Sequence, residues 1–133
     1  MGKLIDGKWV KTELITSDSK GGFDRKPRTF LDQVSSEHEK YKPESGRYHL
    51  YVSFACPWAH RALIMRSLKN LDEHISISVV HPDMLDMGWS FKTDFAGTTG
   101  DDLHGLDYLH QVYQKAQPDI STSATVPILW DKK

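Results

Sequence analysis

The amino-acid sequence predicts an α/β fold in which helices cover a partly parallel β-sheet. From residue 47 onwards, strand-like and helix-like segments alternate in the order β-α-β-loop-α-β, which is typical of such sheets. The length of 133 residues, 38% of them hydrophobic, suits one small globular domain. The only cysteine, Cys56, stands where a predicted strand ends and a predicted helix begins. These observations predict a domain organised around a strand-to-helix turn.

Residues 1–46 are predicted to form an irregular extension. They are polar and rich in turn formers, with two glycines at 21–22 and a Pro-Glu-Ser-Gly turn at 43–46. Three scattered aromatic residues are candidates for anchoring the extension to a neighbouring surface: Trp9, Phe23 and Phe30. No periodicity marks a domain here, so we assign the folded domain to residues 47–133.

The first strand and helix of this domain are predicted at residues 48–70. The run YHLYV at 48–52 is rich in aromatic and branched residues, which favours a strand. Pro57 suits the first turn of a helix because it has no N–H group to leave unpaired. Apolar residues at helical spacing follow, and Asn70 is a typical helix stop.

Two strands and a helix are predicted beyond this unit. Residues 75–79 alternate as a second strand, and residues 82–104 form a long glycine-containing loop. A second amphipathic helix has its apolar positions at Leu106, Leu109, Val112, Tyr113 and Ala116. The run TVPILW at 125–130 predicts the last strand, with Pro127 near its start.

Composition disfavours several classes of partner and location. The 17 basic and 18 acidic residues give a formal net charge of −1, which offers no global reason to bind nucleic acid or an anionic membrane. No apolar run approaches the roughly 20 residues that span a bilayer, and the amino terminus lacks the apolar core of a signal peptide. One cysteine cannot form an internal disulfide, so we expect a reducing, cytoplasmic location.

Cys56 is the candidate nucleophile. The free N–H groups and dipole of a helix start stabilise negative charge, which favours the thiolate, and His60 and Arg61 add positive potential. The thiolate is the form that attacks electrophiles and disulfides. The alternative is an inert, small hydrophobic residue, as most single cysteines are.

Ala59 decides the type of thiol chemistry. A dithiol oxidoreductase needs a second cysteine three positions after the first, where this chain has Ala59 and no other cysteine. Cys56 is therefore expected to work as a single thiol whose covalent intermediate is resolved by an external thiol. Glutathione is the abundant candidate in a cytosol.

Three runs of the chain, taken in order, resemble the amino-terminal domain of glutathionyl-hydroquinone reductases. They are GRYHLYVSFACPWAHRALIMR, SVVHPDMLDMGWSF and TVPILWDKK. These reductases are the xi-class, Cys-type members of the glutathione transferase superfamily, and the resemblance extends from Met1 to Lys133. It implies a thioredoxin-like, glutathione-binding domain at 47–133, followed in full-length relatives by an all-helical domain and usually found in homodimers. It also implies that a cysteine removes glutathione from glutathionyl-hydroquinones through a mixed disulfide, which a second glutathione resolves.

The resemblance implies roles for four residues. It places the nucleophile at Cys56, a glutathione contact at Trp89, and the backbone that pairs with the glutathione peptide at Val126. It also implies a cis bond at Pro127, which exposes the Val126 N–H and C=O to a ligand added as a short strand. Spacing alone would favour an ordinary trans proline at a strand start. For Trp89, the alternative is a loop anchor packed into the core.

The histidines suggest no metal site, since no pair has a convincing carboxylate or cysteine partner. They are His60, His81, His104 and His110. His110 marks a departure from the family, because many relatives carry an arginine near the glutathione in that helix. A histidine in place of this arginine is expected to hold a ligand carboxylate more weakly.

The resemblance ends at TVPILWDKK, before the family's next strand, last helix and helical domain. We therefore expect a truncated or fragmentary chain, impaired in glutathionyl-hydroquinone reduction. Three hypotheses stay open at this point: a glutathione-dependent thiol enzyme, a non-catalytic glutathione-binding or interaction module, and a degenerate fragment without a stable fold.

Overall fold

The computed structural model describes residues 2–12, 16–17, 20–24 and 28–133, which contain seven strands and two helices. The strands of the extension are β1 (Gly2–Ile5), β2 (Lys8–Lys11), β3 (Thr16–Ser17) and β4 (Phe23–Asp24). The remaining elements are β5 (Tyr48–Val52), α1 (Pro57–Leu68), β6 (Ile75–Val79), α2 (Leu109–Ala116) and β7 (Ile128–Asp131). None of the helices in these ranges is long and apolar enough to cross a bilayer.

The central sheet has three strands in the order β6-β5-β7. β5 pairs in parallel with β6, with Val52 opposite Val79, and antiparallel with β7, with Tyr51 opposite Ile128. A parallel pair needs a long crossover, which α1 supplies between β5 and β6. The predicted partly parallel α/β sheet is confirmed.

The core is built around β5, which is buried at every position. Tyr51, Val52 and Val79 from the sheet meet Ala59 of α1 and Leu109 of α2, all of them fully buried or within 1% of it. Ala59 is the only buried residue of α1. The first turn of α1 is therefore fixed against the sheet, while most of the helix surface stays outside the core.

A buried carboxylate, Asp101, organises the long loop between β6 and α2. Its Oδ1 accepts hydrogen bonds from the Tyr51 hydroxyl at 3.0 Å and from the backbone N–H groups of Leu103 and His104 at 3.1 and 3.2 Å. Its Oδ2 accepts the Leu106 N–H at 3.1 Å. Burial and the nearby carboxylate raise the pKa of Tyr51 above its ordinary value. One side chain thus ties the loop to the sheet.

α2 begins at Leu109, so the prediction of a helix from Leu106 was wrong by three residues. The Leu106 N–H is bonded to Asp101 instead of lying in a helical turn. The Gln111 side chain then folds back to accept the Tyr108 N–H at 2.9 Å, which caps the true helix start. The spacing of apolar residues carries no information about these polar contacts, so it could not predict where the helix begins.

β7 begins at Ile128, three residues after the predicted strand start at Thr125. The Tyr113 hydroxyl donates to the Thr125 carbonyl at 3.0 Å, so this backbone is bonded to α2 and not to β5. The bond between Val126 and Pro127 is cis. Strand pairing starts only after this turn.

The extension is more regular than the sequence indicated, although no helix occurs in its described part. β1 and β2 form an antiparallel hairpin around Asp6 and Gly7, whose φ angles are +47° and +72°. An Asp-Gly pair between strand-like residues is a strong hairpin signal that the sequence analysis did not use. Trp9 does anchor the extension, by stacking on the ring of His110.

The other two predicted anchors differ. The ring of Phe30 lies 6.2 Å from that of Tyr113, whereas the side chain of Phe23 lies outside the described part of the structure. The division of the chain at residue 47 stays a prediction.

Candidate active site

Cys56 caps the amino terminus of α1. Its backbone is extended, with φ −103° and ψ 115°, and Pro57 takes the first helical position. The Cys56 N–H donates to the Ser53 carbonyl at 3.2 Å, which turns the chain from β5 into the helix. The Cys56 carbonyl accepts the His60 N–H at 3.0 Å as the first helical hydrogen bond. The half-buried thiol therefore lies at the positive end of α1.

The structure brings Cys56 and Val126 together from positions 70 residues apart. The Cys56 S–H donates to the Val126 carbonyl, with 3.6 Å between Sγ and O. The Val126 side chain is buried in the core, and among the described residues its N–H donates no hydrogen bond. The thiol thus faces a backbone segment that retains an unused donor.

Trp89 lies in the loop between β6 and α2, half-buried against the same core cluster as Cys56. Its carbonyl accepts the Leu109 N–H at 2.9 Å, which joins this loop to the start of α2. Within the described ranges, no hydrogen bond links Trp89 to Cys56 or Val126. Of the four predicted site residues, Cys56, Trp89 and Val126 therefore share one core, and among the described residues a hydrogen bond joins only the thiol and the Val126 carbonyl.

The two basic residues expected near the thiol are exposed. The Arg61 guanidinium lies over the Trp58 ring, 5.7 Å from its centroid. Trp58 itself is 61% exposed. His60 is bonded to Cys56 through its backbone, and its side chain is exposed. Water screens such charges, so the start of α1 is the more direct source of positive potential.

His110 is buried and sits in an aromatic stack. Its ring lies 4.4 Å from that of Trp9 and 5.5 Å from that of Tyr108, both nearly parallel to it. Burial lowers the pKa of His110 below its ordinary value, which keeps the imidazole neutral near pH 7. Its Nδ1 lies 3.2 Å from the Met87 carbonyl, and since a carbonyl only accepts, Nδ1 carries the proton. The Nδ1–H of this ring is therefore already used by the Met87 carbonyl, and the expected weaker grip on a ligand carboxylate stays a prediction.

Two other histidines have surroundings that spacing did not reveal. His81 Nε2 lies 3.4 Å from Asp94 Oδ1, so this histidine does have a carboxylate partner. His104 Nε2 is buried and has no hydrogen-bond partner among the described residues, and burial lowers the pKa of His104. No group of three or more histidine, cysteine or acidic side chains suited to a metal occurs in the described ranges.

Tyr113 is a neighbour of the site that the sequence analysis counted only as a helix position. Besides its bond to the Thr125 carbonyl, its hydroxyl lies 3.3 Å from the Thr125 N–H. It therefore holds the backbone one residue before Val126. Its only sequence signal was the apolar periodicity of α2, which carries no information about this contact.

Comparison with known proteins identifies the fold and the family. Residues 55–133 match the family described as glutathione S-transferase, N-terminal domain. Over its whole length the chain is 47% identical to a glutathionyl-hydroquinone reductase, YqjG, of Escherichia coli strain K12, and it spans 43% of that protein.

Two solved structures are similar. The xi-class glutathione transferase of Natrialba magadii superposes with a TM-score of 0.87 at 43% identity, covering 100% of this chain and 39% of that one. The glutathione-bound structure of YqjG from E. coli K-12 superposes with a TM-score of 0.75 at 45% identity, covering 97% of this chain and 38% of that one. The chain thus spans about two-fifths of the length of these relatives. The thioredoxin-like fold is confirmed, and the chain belongs to the glutathione transferase family, as a counterpart of the amino-terminal domain of its xi class.

Proposed function

We propose that this protein is a glutathione-dependent thiol oxidoreductase that reduces glutathionyl-hydroquinones through a mixed disulfide between Cys56 and glutathione. The observation that carries the proposal is the contact between the thiol and the Val126 backbone, with 3.6 Å between Sγ and the carbonyl oxygen. A thiolate at a helix start is a nucleophile, and an adjacent unused backbone donor can pair with a peptide. Glutathione is a peptide that carries a thiol, so both features suit the same ligand.

The reaction proceeds in two steps that balance. The Cys56 thiolate attacks the glutathione sulfur of the substrate, a disulfide bond forms, the sulfur–carbon bond breaks, and the ring carbon takes up a proton. The thiolate of a second glutathione then attacks the mixed disulfide, oxidised glutathione leaves, and the Cys56 thiolate is restored. Two electrons pass from the glutathione sulfurs to the hydroquinone carbon.

The remaining site residues hold glutathione as a co-substrate. Val126, presented by the turn at Pro127, pairs its backbone with that of glutathione, and Trp89 contacts the peptide from the neighbouring loop. Neither residue takes up or releases a proton, so their contribution is to hold the glutathione sulfur in line with the thiol. The cycle needs no metal, and it suits the glutathione-rich, reducing cytoplasm. Assembly as a homodimer stays a prediction from the resemblance.

The test combines adduct formation with turnover. The purified protein is incubated with oxidised glutathione and analysed by mass spectrometry, beside a Cys56→Ser variant as the matched control. The proposal predicts one glutathione adduct on the parent and none on the variant. Hydroquinone release from a glutathionyl-hydroquinone is expected to be slow for the parent, in keeping with the impaired reduction expected from the sequence, and absent for the variant. Glutathione binding by calorimetry without an adduct would favour the alternative, a non-catalytic glutathione-binding module. If the protein shows neither glutathione binding nor an adduct, both hypotheses are contradicted.

A further inference from the structure

The β1–β2 hairpin lies against the loop that carries Trp89. The Trp9 indole N–H donates to the Asp86 carbonyl at 3.0 Å, and Lys11 Nζ lies 2.7 Å from an Asp86 carboxylate oxygen. The Trp9 ring also covers Gly88, because a Cβ atom added there would lie 2.9 Å from it. Gly88 has φ +77°, which side chains rarely adopt. The loop therefore bends so as to fit closely under the indole.

Trp9 is also connected to the same loop through His110. The two rings are 4.4 Å apart and inclined by 18°, and His110 Nδ1 donates to the Met87 carbonyl at 3.2 Å. Two consecutive carbonyls of the loop are thus held. That of Asp86 is bonded by Trp9 itself, and that of Met87 is bonded by His110, on which Trp9 stacks. Both bonds fix backbone only two or three residues from Trp89.

The other strand of the hairpin is bonded to the segment that leads to Val126. Leu4 and Thr122 exchange two backbone hydrogen bonds of 2.8 and 3.0 Å, and the Gly7 N–H donates to the Ile120 carbonyl at 3.0 Å. The Leu4 side chain is fully enclosed, at 1% exposure. Thr122 lies four residues before Val126. The hairpin is therefore attached to both segments of the proposed glutathione site.

We propose that the β1–β2 hairpin is a brace for the glutathione site and that Trp9 is its positioning residue, holding the 85–89 loop at a fixed distance from the segment before Val126. This inference rests on the proposed function, because it concerns the same site. Trp9 touches no reacting atom, so it acts on binding and not on the thiol. A loop that is ordered before the ligand arrives loses less entropy on binding, and the brace thereby strengthens glutathione binding.

The experiment compares the Trp9→Leu variant with the parent and with Val10→Thr. Val10 is the next residue of β2, is exposed, and points away from the Trp9 side of the hairpin, so Val10→Thr is a nearly isosteric control in the same strand. Adduct formation on Cys56 is measured against the concentration of oxidised glutathione. Iodoacetamide alkylation of Cys56 is measured alongside, because this small reagent needs no glutathione site.

For Trp9→Leu we expect the half-saturating glutathione disulfide concentration to rise about tenfold, while the alkylation rate stays within about twofold of the parent. In nitrogen-labelled protein, the Trp89 indole resonance, assigned with a Trp89→Phe variant, should shift or broaden while that of Trp58 stays in place. The Val10→Thr control should match the parent in all three measurements. If Trp9→Leu does not fold, Trp9→Phe replaces it, since it keeps an aromatic ring while removing the indole N–H and reducing the ring over Gly88.

An unchanged half-saturating concentration in the folded variant would overturn the proposal, as would equal losses in adduct formation and alkylation, which indicate general disruption. If the parent itself forms no adduct, the proposed function fails separately. The indole resonance still decides the brace in that case, because an unmoved Trp89 signal means that Trp9 does not position the loop.

Discussion

Replacement of Asp101 measures how much a single buried carboxylate contributes to the free energy of unfolding. The side chain accepts four hydrogen bonds, three at Oδ1 and one at Oδ2, from the Tyr51 hydroxyl and three backbone N–H groups. Asp101→Ala leaves all four donors without their acceptor. At about 1 kcal/mol net for each bond, the variant should lose about 4 kcal/mol of unfolding free energy. That is a large part of the roughly 5–15 kcal/mol typical of a small domain.

Asp101→Asn should be much milder. Its amide oxygen can replace Oδ1 and keep three bonds, whereas its NH₂ group would face the Leu106 N–H, so we expect a loss of about 1–2 kcal/mol. Asp102→Asn is the matched control, because the Asp102 side chain is exposed and makes no hydrogen bond within the described part of the chain. The Asp102 backbone N–H donates to Ser78 Oγ at 3.3 Å, which the substitution leaves in place.

Urea denaturation followed by circular dichroism measures all three variants, and a spectroscopic tyrosine titration follows Tyr51. Loss of the carboxylate should bring the pKa of Tyr51 back towards its ordinary value. Equal destabilisation by Asp101→Ala and Asp102→Asn, or a neutral Asp101→Ala, would show that the loop is not held by this carboxylate.

Two further changes test the site and the sheet. Ala59→Cys places a second thiol one helical turn from Cys56, where it should attack the mixed disulfide and shorten the adduct lifetime at least about tenfold. Since Ala59 is fully buried, the larger side chain should also lower the free energy of unfolding by about 1–3 kcal/mol. An adduct as long-lived as in the parent, measured by timed mass spectrometry, would refute this geometry. Asp131 receives two hydrogen bonds from Arg47, at 2.7 and 2.6 Å, which hold the pKa of the carboxyl below its ordinary value. Its stabilising effect is full above the unfolded pKa of about 4 and is lost as the pH falls through the lower folded pKa, so Asp131→Asn should flatten the acid limb of the stability curve measured by urea denaturation at several pH values.

The elements that were predicted well are those whose signals are local. β5, β6 and the start of α1 follow from alternation, branched residues and a proline at the first helical position, and the structure has them at the predicted residues. Asn70 has φ +52°, in keeping with its role as a helix stop. Each of these features depends on residues within a few positions of one another, so a single sequence is enough to find them.

The elements that were misplaced depend on contacts between distant residues. α2 begins late because a carboxylate in the preceding loop takes the Leu106 N–H, and β7 begins late because the Tyr113 hydroxyl bonds Thr125. The hairpin at residues 2–11 had a local signal, the Asp6-Gly7 pair, but no local pattern could indicate that Trp9 would stack on His110, 101 residues away in the sequence. Polar contacts of this kind leave no periodicity.

The candidate site divides in the same way, and this division has a consequence for its chemistry. Cys56 was found from the strand-to-helix turn alone, and its half-buried thiol is placed by Ala59 and β5, which are themselves buried. Val126 and Trp89 entered only through the family resemblance, and both are placed by loops held through hydrogen bonds to α2 and the hairpin. The loop that carries Trp89 is exposed at Leu85 and Met87, and loops with few buried apolar contacts open at lower free energy than core elements do. We therefore expect substitutions that loosen this loop to weaken the proposed glutathione binding well before they alter the reactivity of the thiol, because Trp89 and Cys56 belong to parts of the fold with different local stability.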